Sequence, residues 1–151
     1  MNDPIAQLKE DHREVETLLK TLASSKPGAR RRSTVAKVDQ KLALHMRIEE
    51  RLVYPLVPRV LGEEAAEEAE IEHGLARKGL AELKKLQDAP GFGASVDMLT
   101  AGIKHHVKEE EHEVFPKLKT NLDRTELSEL GAAVLKERSA RSGGRTPAKK
   151  G

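Results

Sequence analysis

Residues 45–55 read His45-Met46-Arg47-Ile48-Glu49-Glu50-Arg51-Leu52-Val53-Tyr54-Pro55, and residues 106–116 read His106-Val107-Lys108-Glu109-Glu110-Glu111-His112-Glu113-Val114-Phe115-Pro116. Both fit H-x-x-x-E-E-x-x-V-[YF]-P, at an offset of 61 positions. The same offset carries Asp11-His12 onto Glu72-His73. His12 and His45 stand 33 residues apart, as do His73 and His106. The chain therefore reads as two copies of a helical hairpin, each supplying His…His-x-x-x-Glu.

Around these motifs, apolar residues recur at the period of one buried helical face. Asn2-Asp3-Pro4 is a cap followed by proline in the first turn, and Ile5, Leu8, His12, Val15, Leu19 and Leu22 form the inner row behind it. Residues 24–33, with Pro27-Gly28 and Arg30-Arg31-Arg32, read as a break after which Ser33 or Thr34 caps a second helix. Its inner row is Val38, Leu42, His45, Glu49 and Val53, and Pro55 and Pro58 end or kink it. A third helix opens at Glu63-Glu64 with the row Ala66, Ala69, His73, Ala76, Leu80 and Leu83. Beyond the turn at residues 89–93, a fourth carries Val96, Leu99, Ile103, His106, Glu110 and Val114. A short fifth helix is expected from Asp123 or Thr125 to about Arg138. The prediction is all-α: an up-down-up-down four-helix bundle over 1–120, a short C-terminal helix over 121–139, and a disordered basic tail over 140–151.

Composition narrows the chemistry. The 151 residues contain no cysteine, which removes disulfides, thiolate metal sites and thiol catalysis. The net charge is +2, and without the tail's Arg141, Arg145, Lys149 and Lys150 it is −2, so the body is not a polyanion-binding surface. Three aromatic residues argue against a β-sandwich or barrel. No apolar run suits a membrane span, and no secretory signal is read at the amino end; a cytoplasmic setting is expected.

Each inner row holds a histidine, and two of them add a glutamate one helical turn later, on the same face. In an antiparallel hairpin, His12 and His45 would both lie about 16 Å from their loop, and the second hairpin repeats the arrangement. Four imidazoles and two carboxylates in a small core are costly unless something binds them. The candidate ligands are His12, His45, Glu49, His73, His106 and Glu110. His106 is chosen over His105 because it falls among Val96, Leu99 and Ile103. Glu49 is chosen over Glu50, which lies about 140° around the helix from His45. His105 and His112 read as surface residues, with support of the ligands as the alternative; Glu16 as a solvated carboxylate, with a further donor as the alternative; Tyr54 and Phe115 as packing at the bundle end, with a hydrogen bond near the site as the alternative for Tyr54; and the arginine run as a solubility feature. Imidazole and carboxylate without sulfur suit iron, manganese or zinc, and six such donors fit two ions with shared carboxylates.

The pattern His12…His45-x-x-x-Glu49…His73…His106-x-x-x-Glu110, with its E-E-x-x-V-[YF]-P extensions over about residues 3–120, resembles the hemerythrin-like HHE cation-binding domain in its stand-alone bacterial form. The resemblance implies a non-haem, oxo-bridged di-iron centre bridged by Glu49 and Glu110. His12 and His45 would serve one iron, and His73 and His106 the other. Arg77 stands where the oxygen carriers have a further histidine, and Glu110 where they use aspartate. These departures favour peroxide chemistry or sensing over simple dioxygen carriage. The expected function is binding of dioxygen, peroxide or nitric oxide, with catalase-like peroxide turnover and a role in oxidative stress. The alternatives are non-catalytic iron buffering or oxygen sensing, and a helical interaction module without metal. Manganese or zinc stay open as the metal, and neither a membrane nor a nucleic-acid partner is expected.

Overall fold

Helix α1 (Pro4–Ala23) starts where Asp3 Oδ1 accepts from the N–H of Ile5 at 3.0 Å and of Ala6 at 3.2 Å, with Pro4 in the first turn. The computed structural model describes residues 3–145, with side chains to residue 140. Asn2 of the expected first cap and residues 146–151 of the expected tail lie outside the described residues. Asp3→Ala removes the acceptor for two otherwise unpaired amides and is expected to cost about 1 kcal/mol, read from the urea midpoint.

Helix α2 (Ala29–Ile48) begins earlier than Ser33 or Thr34, behind Gly28, whose φ of 143° suits glycine. Thr34 does not cap; its hydroxyl donates back to the Arg30 carbonyl. The early start is held by Arg31, which is buried rather than a solubility feature. Its guanidinium lies 4.0 Å over the Phe92 ring and donates to Ser25 Oγ, the Ser25 carbonyl and the Gln87 carbonyl. One arginine thus ties the two inter-helix loops together.

At its C-terminal end, α2 widens into a π turn over Glu49–Val53, closed by the Tyr54 N–H bonding back to the Glu49 carbonyl. The same turn recurs at Glu110–Val114, where the Phe115 N–H reaches the Glu110 carbonyl. Pro55 and Pro116 explain both: each lacks the N–H that an α-helical ladder would require four residues on. The extra residue in the turn brings residues 54 and 115 beneath Glu49 and Glu110.

A short 3₁₀ turn (Tyr54–Leu56) and helix α3 (Val57–Leu61) follow. Gly62, at φ 95°, then turns the chain into α4 (Glu63–Lys85). Helix α5 (Phe92–Glu109) leads through the second π turn to α6 (Phe115–Asn121). Asp123 and Glu126 form a reciprocal capping box, and α7 (Arg124–Arg145) runs beyond the expected end at Arg138 into the region anticipated as tail.

The described residues are all helical and form a helical bundle, with α1 against α2 and α4 against α5. Two apolar clusters divide the interior. One, including Val15, Leu42, Met46, Leu83, Leu99 and Ile103, fills the end nearest the two loops. The other, including Leu8, Ile48, Val53, Phe115 and Leu118, is joined by Leu130 and Val134 of α7. Between them lies one polar layer. No helix among the described residues is long and apolar enough to cross a membrane.

Candidate metal centre

Each of four helices sends one imidazole into that layer: His12 from α1, His45 from α2, His73 from α4 and His106 from α5. Glu49 and Glu110, the first residues of the two π turns, enter beside them at 0% and 1% exposure. The rings associate in two edge-to-face pairs, His12 with His45 and His73 with His106, each at 4.9 Å between centroids.

Both carboxylates are divided between the pairs. Glu49 Oε2 lies 3.1 Å from His45 Nε2, while its Oε1 lies 3.0 Å from His73 Nε2. Glu110 Oε1 lies 3.1 Å from His12 Nε2, while its Oε2 lies 3.1 Å from His106 Nε2. Two four-donor groups result, His12/His45/Glu49/Glu110 and Glu49/His73/His106/Glu110, each able to hold a metal ion.

The first group supplies the test of fit. His12 Nε2, His45 Nε2, Glu49 Oε2 and Glu110 Oε1 are buried and form no hydrogen bond, although they lie within 3.1 Å of one another in pairs. Buried orphans of this kind cost about 1–3 kcal/mol each, and a cation among them would satisfy all four together.

The second group differs by one side chain. The Tyr54 hydroxyl lies 2.8 Å from Glu110 Oε2, 3.1 Å from Glu49 Oε1, 2.9 Å from His73 Nε2 and 3.3 Å from His106 Nε2. It occupies the middle of that group, so hydrogen bonding at the site, and not packing alone, is its place in the fold. The repeat places Phe115 at the equivalent position, where the ring stacks on His12 at 5.8 Å and brings no oxygen. Burial, then the flanking Glu49 and Glu110 carboxylates, push the Tyr54 hydroxyl far above its ordinary range, so in the metal-free protein it is a donor.

Behind every histidine stands a further carboxylate. His12 Nδ1 meets Glu111 at 2.7 Å, His45 meets Asp11 at 2.7 Å, His73 meets Glu50 at 2.7 Å and His106 meets Glu72 at 2.6 Å. Each pins the ring with Nε2 facing inward. Asp11 and Glu72 act within their own hairpin, whereas Glu50 and Glu111 reach across to the other, so the second glutamate of each E-E pair cross-braces the halves. Glu50 was set aside in sequence because it leaves the face of His45; it serves His73 instead. Arginines engage three of the four: Arg138 on Asp11, Arg77 on Glu50 and Arg13 on Glu111. Glu72 is instead approached by His105, at 3.5 Å.

Electrostatics in the metal-free protein are tightly balanced. Burial opposes charge on His45, but the adjacent Glu49 and Asp11 carboxylates push it up to about 10. Burial likewise opposes charge on His106, and Glu110, Glu49 and Glu72 outweigh it, raising the ring to about 12. Glu49, despite burial, is held well below the usual carboxylate range by the surrounding imidazoles. These opposite charges offset one another within a layer whose donor groups could hold a cation.

The remaining candidates lie outside the layer. His105 is 63% exposed and forms a surface group with Glu72 and Glu109. His112 is exposed, and Glu16 pairs with Arg13. Sequence reasoning missed the four carboxylates behind the rings, although the repeat covers them: Asp11 maps onto Glu72 and Glu50 onto Glu111.

The sequence profile of the hemerythrin HHE cation binding domain matches residues 3–118. A DNA nickase of Nostoc sp. is 27% identical over 116 residues, which cover 76% of this chain and 33% of that protein. The chain thus spans about a third of the length of that curated relative.

Proposed function

The chain belongs to the hemerythrin HHE cation-binding domain family, and from that premise we propose that it is a non-haem di-iron protein binding dioxygen, peroxide or nitric oxide. His12 and His45 would hold one ion, His73 and His106 the other, and Glu49 and Glu110 would be shared between them. The four long helices run up-down-up-down, which brings the two hairpins' histidines to one level. The observation that carries the reading is the division of each carboxylate's oxygens between two histidine pairs. A single closed ion would need only one such group of four donors.

When bound, an iron pair supplies Lewis acidity and electron exchange toward small oxygen and nitrogen species. The protein's own residues hold and shape the site. Asp11, Glu50, Glu72 and Glu111 fix the four rings, and apolar clusters flank the layer on either side. Tyr54 fills one side of the layer, while Phe115 leaves the His12/His45 side without a protein oxygen beyond the two carboxylates. A small ligand would therefore bind at the His12/His45 group, where no tyrosine hydroxyl stands. Each carboxylate of the layer is already engaged by an imidazole, so peroxide turnover would rely on the ions rather than on a protein base.

Elemental analysis of untreated protein tests the metal reading directly, with about one ion expected per four-donor group; iron at that level supports it, and metal-free protein overturns it. Oxygen evolution on adding peroxide separates catalase-like turnover from iron buffering. Asp11→Asn, which keeps the shape but weakens the hold on His45, is expected to lower metal affinity about 10–100-fold in a chelator competition. His105→Ala, at the surface, is expected to leave it unchanged. The proposed setting is the cytoplasm.

A further inference from the structure

A cavity of about 400 Å³ opens from the histidine layer toward the surface between α4 and α5. Its floor is the four histidines, and its walls include Leu42, Met46, Leu99 and Ile103. A water molecule takes up ~30 Å³, and pockets for whole organic ligands run ~300–1,000 Å³. The space is therefore an order of magnitude too large for a diatomic gas or hydrogen peroxide.

Gly79 and Gly102 line it from α4 and α5. A helix-interior glycine costs about 1 kcal/mol relative to alanine; at Gly79 a Cβ would press to 3.1 Å from Leu99 Cδ1, so the glycine there lets α4 and α5 approach closely. A Cβ on Gly102 would meet nothing within 4 Å, so a larger side chain can be placed there without a clash. Leu75 and Met98, 62% and 75% exposed, flank that mouth, and Ile71, 64% exposed, lies one turn before Leu75. Two of the four large exposed apolar side chains among the described residues thus line one opening. The polar residues of the lining near the mouth are Glu72 and His105, 3.5 Å apart, and a second carboxylate, Glu109 outside the lining, approaches His105 at 3.5 Å, so carboxylates outnumber the imidazole there. An anionic head group passing that rim meets like charge.

We propose that this cavity binds a single-chain aliphatic molecule ending in an uncharged O–H head, the class of alkyl hydroperoxides and alcohols. The head sits against the histidine floor, and the chain runs out between α4 and α5 past Leu75 and Met98. The inference rests on the metal-pair reading for what the head meets, but not for the apolar cavity that selects the chain.

The experiment uses the full chain, metal-loaded and metal-free, with unreactive alcohols as probes and metal content measured on the same samples. 1-Decanol at about ten times its Kd is expected to raise Tm by about 3–5 °C. 1-Butanol should have little effect, and decanoate less effect than decanol. Gly102→Phe, which plugs the mouth, should abolish the decanol shift. Gly74→Phe, at another open position on α4 that does not line the cavity, should retain it. Equal responses to butanol and decanol, or an undiminished decanol shift in Gly102→Phe, would overturn the proposal while leaving metal uptake intact. A chain-length-dependent shift in protein that takes up no metal would support the cavity and sink the metal-pair reading instead.

Discussion

Glu49→Ala is expected to abolish metal loading at both four-donor groups and to lower the stability of the metal-free protein by about 3 kcal/mol. The metal effect is double because the residue is shared: Oε2 belongs with His45, and Oε1 with His73. Breaking a buried ion pair by deleting one partner costs ~3–5 kcal/mol, since the other charge is left uncompensated. The lower end applies because His45 and His106, both raised by Glu49, can shed their protons once it is gone. Glu49→Gln separates the two contributions: it keeps the shape and part of the hydrogen bonding, so it should lose metal while retaining more stability. Elemental analysis and urea unfolding read the outcome. An alanine variant with full metal and an unchanged urea midpoint would show that Glu49 is neither bridge nor counter-charge.

Tyr54→Phe is the second large effect. It removes one oxygen and leaves the ring in place, so a packing role predicts almost no change. In the geometry found here, the hydroxyl reaches four buried polar atoms within 3.3 Å. Its loss leaves Glu110 Oε2 and His106 Nε2 as unsatisfied as their counterparts beside Phe115, while His73 Nε2 and Glu49 Oε1 keep each other at 3.0 Å, at a cost of about 1–3 kcal/mol to the metal-free protein. The loaded variant should keep its metal, because the six main donors remain, but take up an additional equivalent of a small anion such as azide on the newly opened side. Unchanged urea stability together with unchanged anion uptake would return Tyr54 to packing.

Much of the fold was legible because helical burial is periodic. The row Ile5, Leu8, His12, Val15, Leu19, Leu22 is the buried face of α1, and the start of α4 at Glu63 follows from local charge and Gly62. The start of α2 was misplaced because its anchor is not local: Arg31 finds its partners in Ser25, Gln87 and Phe92, and no caps rule applied to neighbouring residues contains that arrangement. The prolines marked where α2 and α5 change. That the change is a π turn depends on the helix continuing beyond them, held by packing of α3 and α6.

By itself, the sequence determined which residues face inward and that the two hairpins are equivalent, since side-chain period and a fixed offset are properties of order along the chain. That is enough to place four histidines and two glutamates on inner faces. Only the tertiary structure decided how the halves differ and how they brace each other. Tyr54 and Phe115 occupy equivalent positions, yet one hydroxyl separates a filled donor group from one with orphaned atoms. Glu50 and Glu111 act on the opposite hairpin, where their partners lie far away in sequence and near in space. Such pairings arise when four helices close on one layer, and the reach of a side chain across that layer is set by packing distance rather than by spacing.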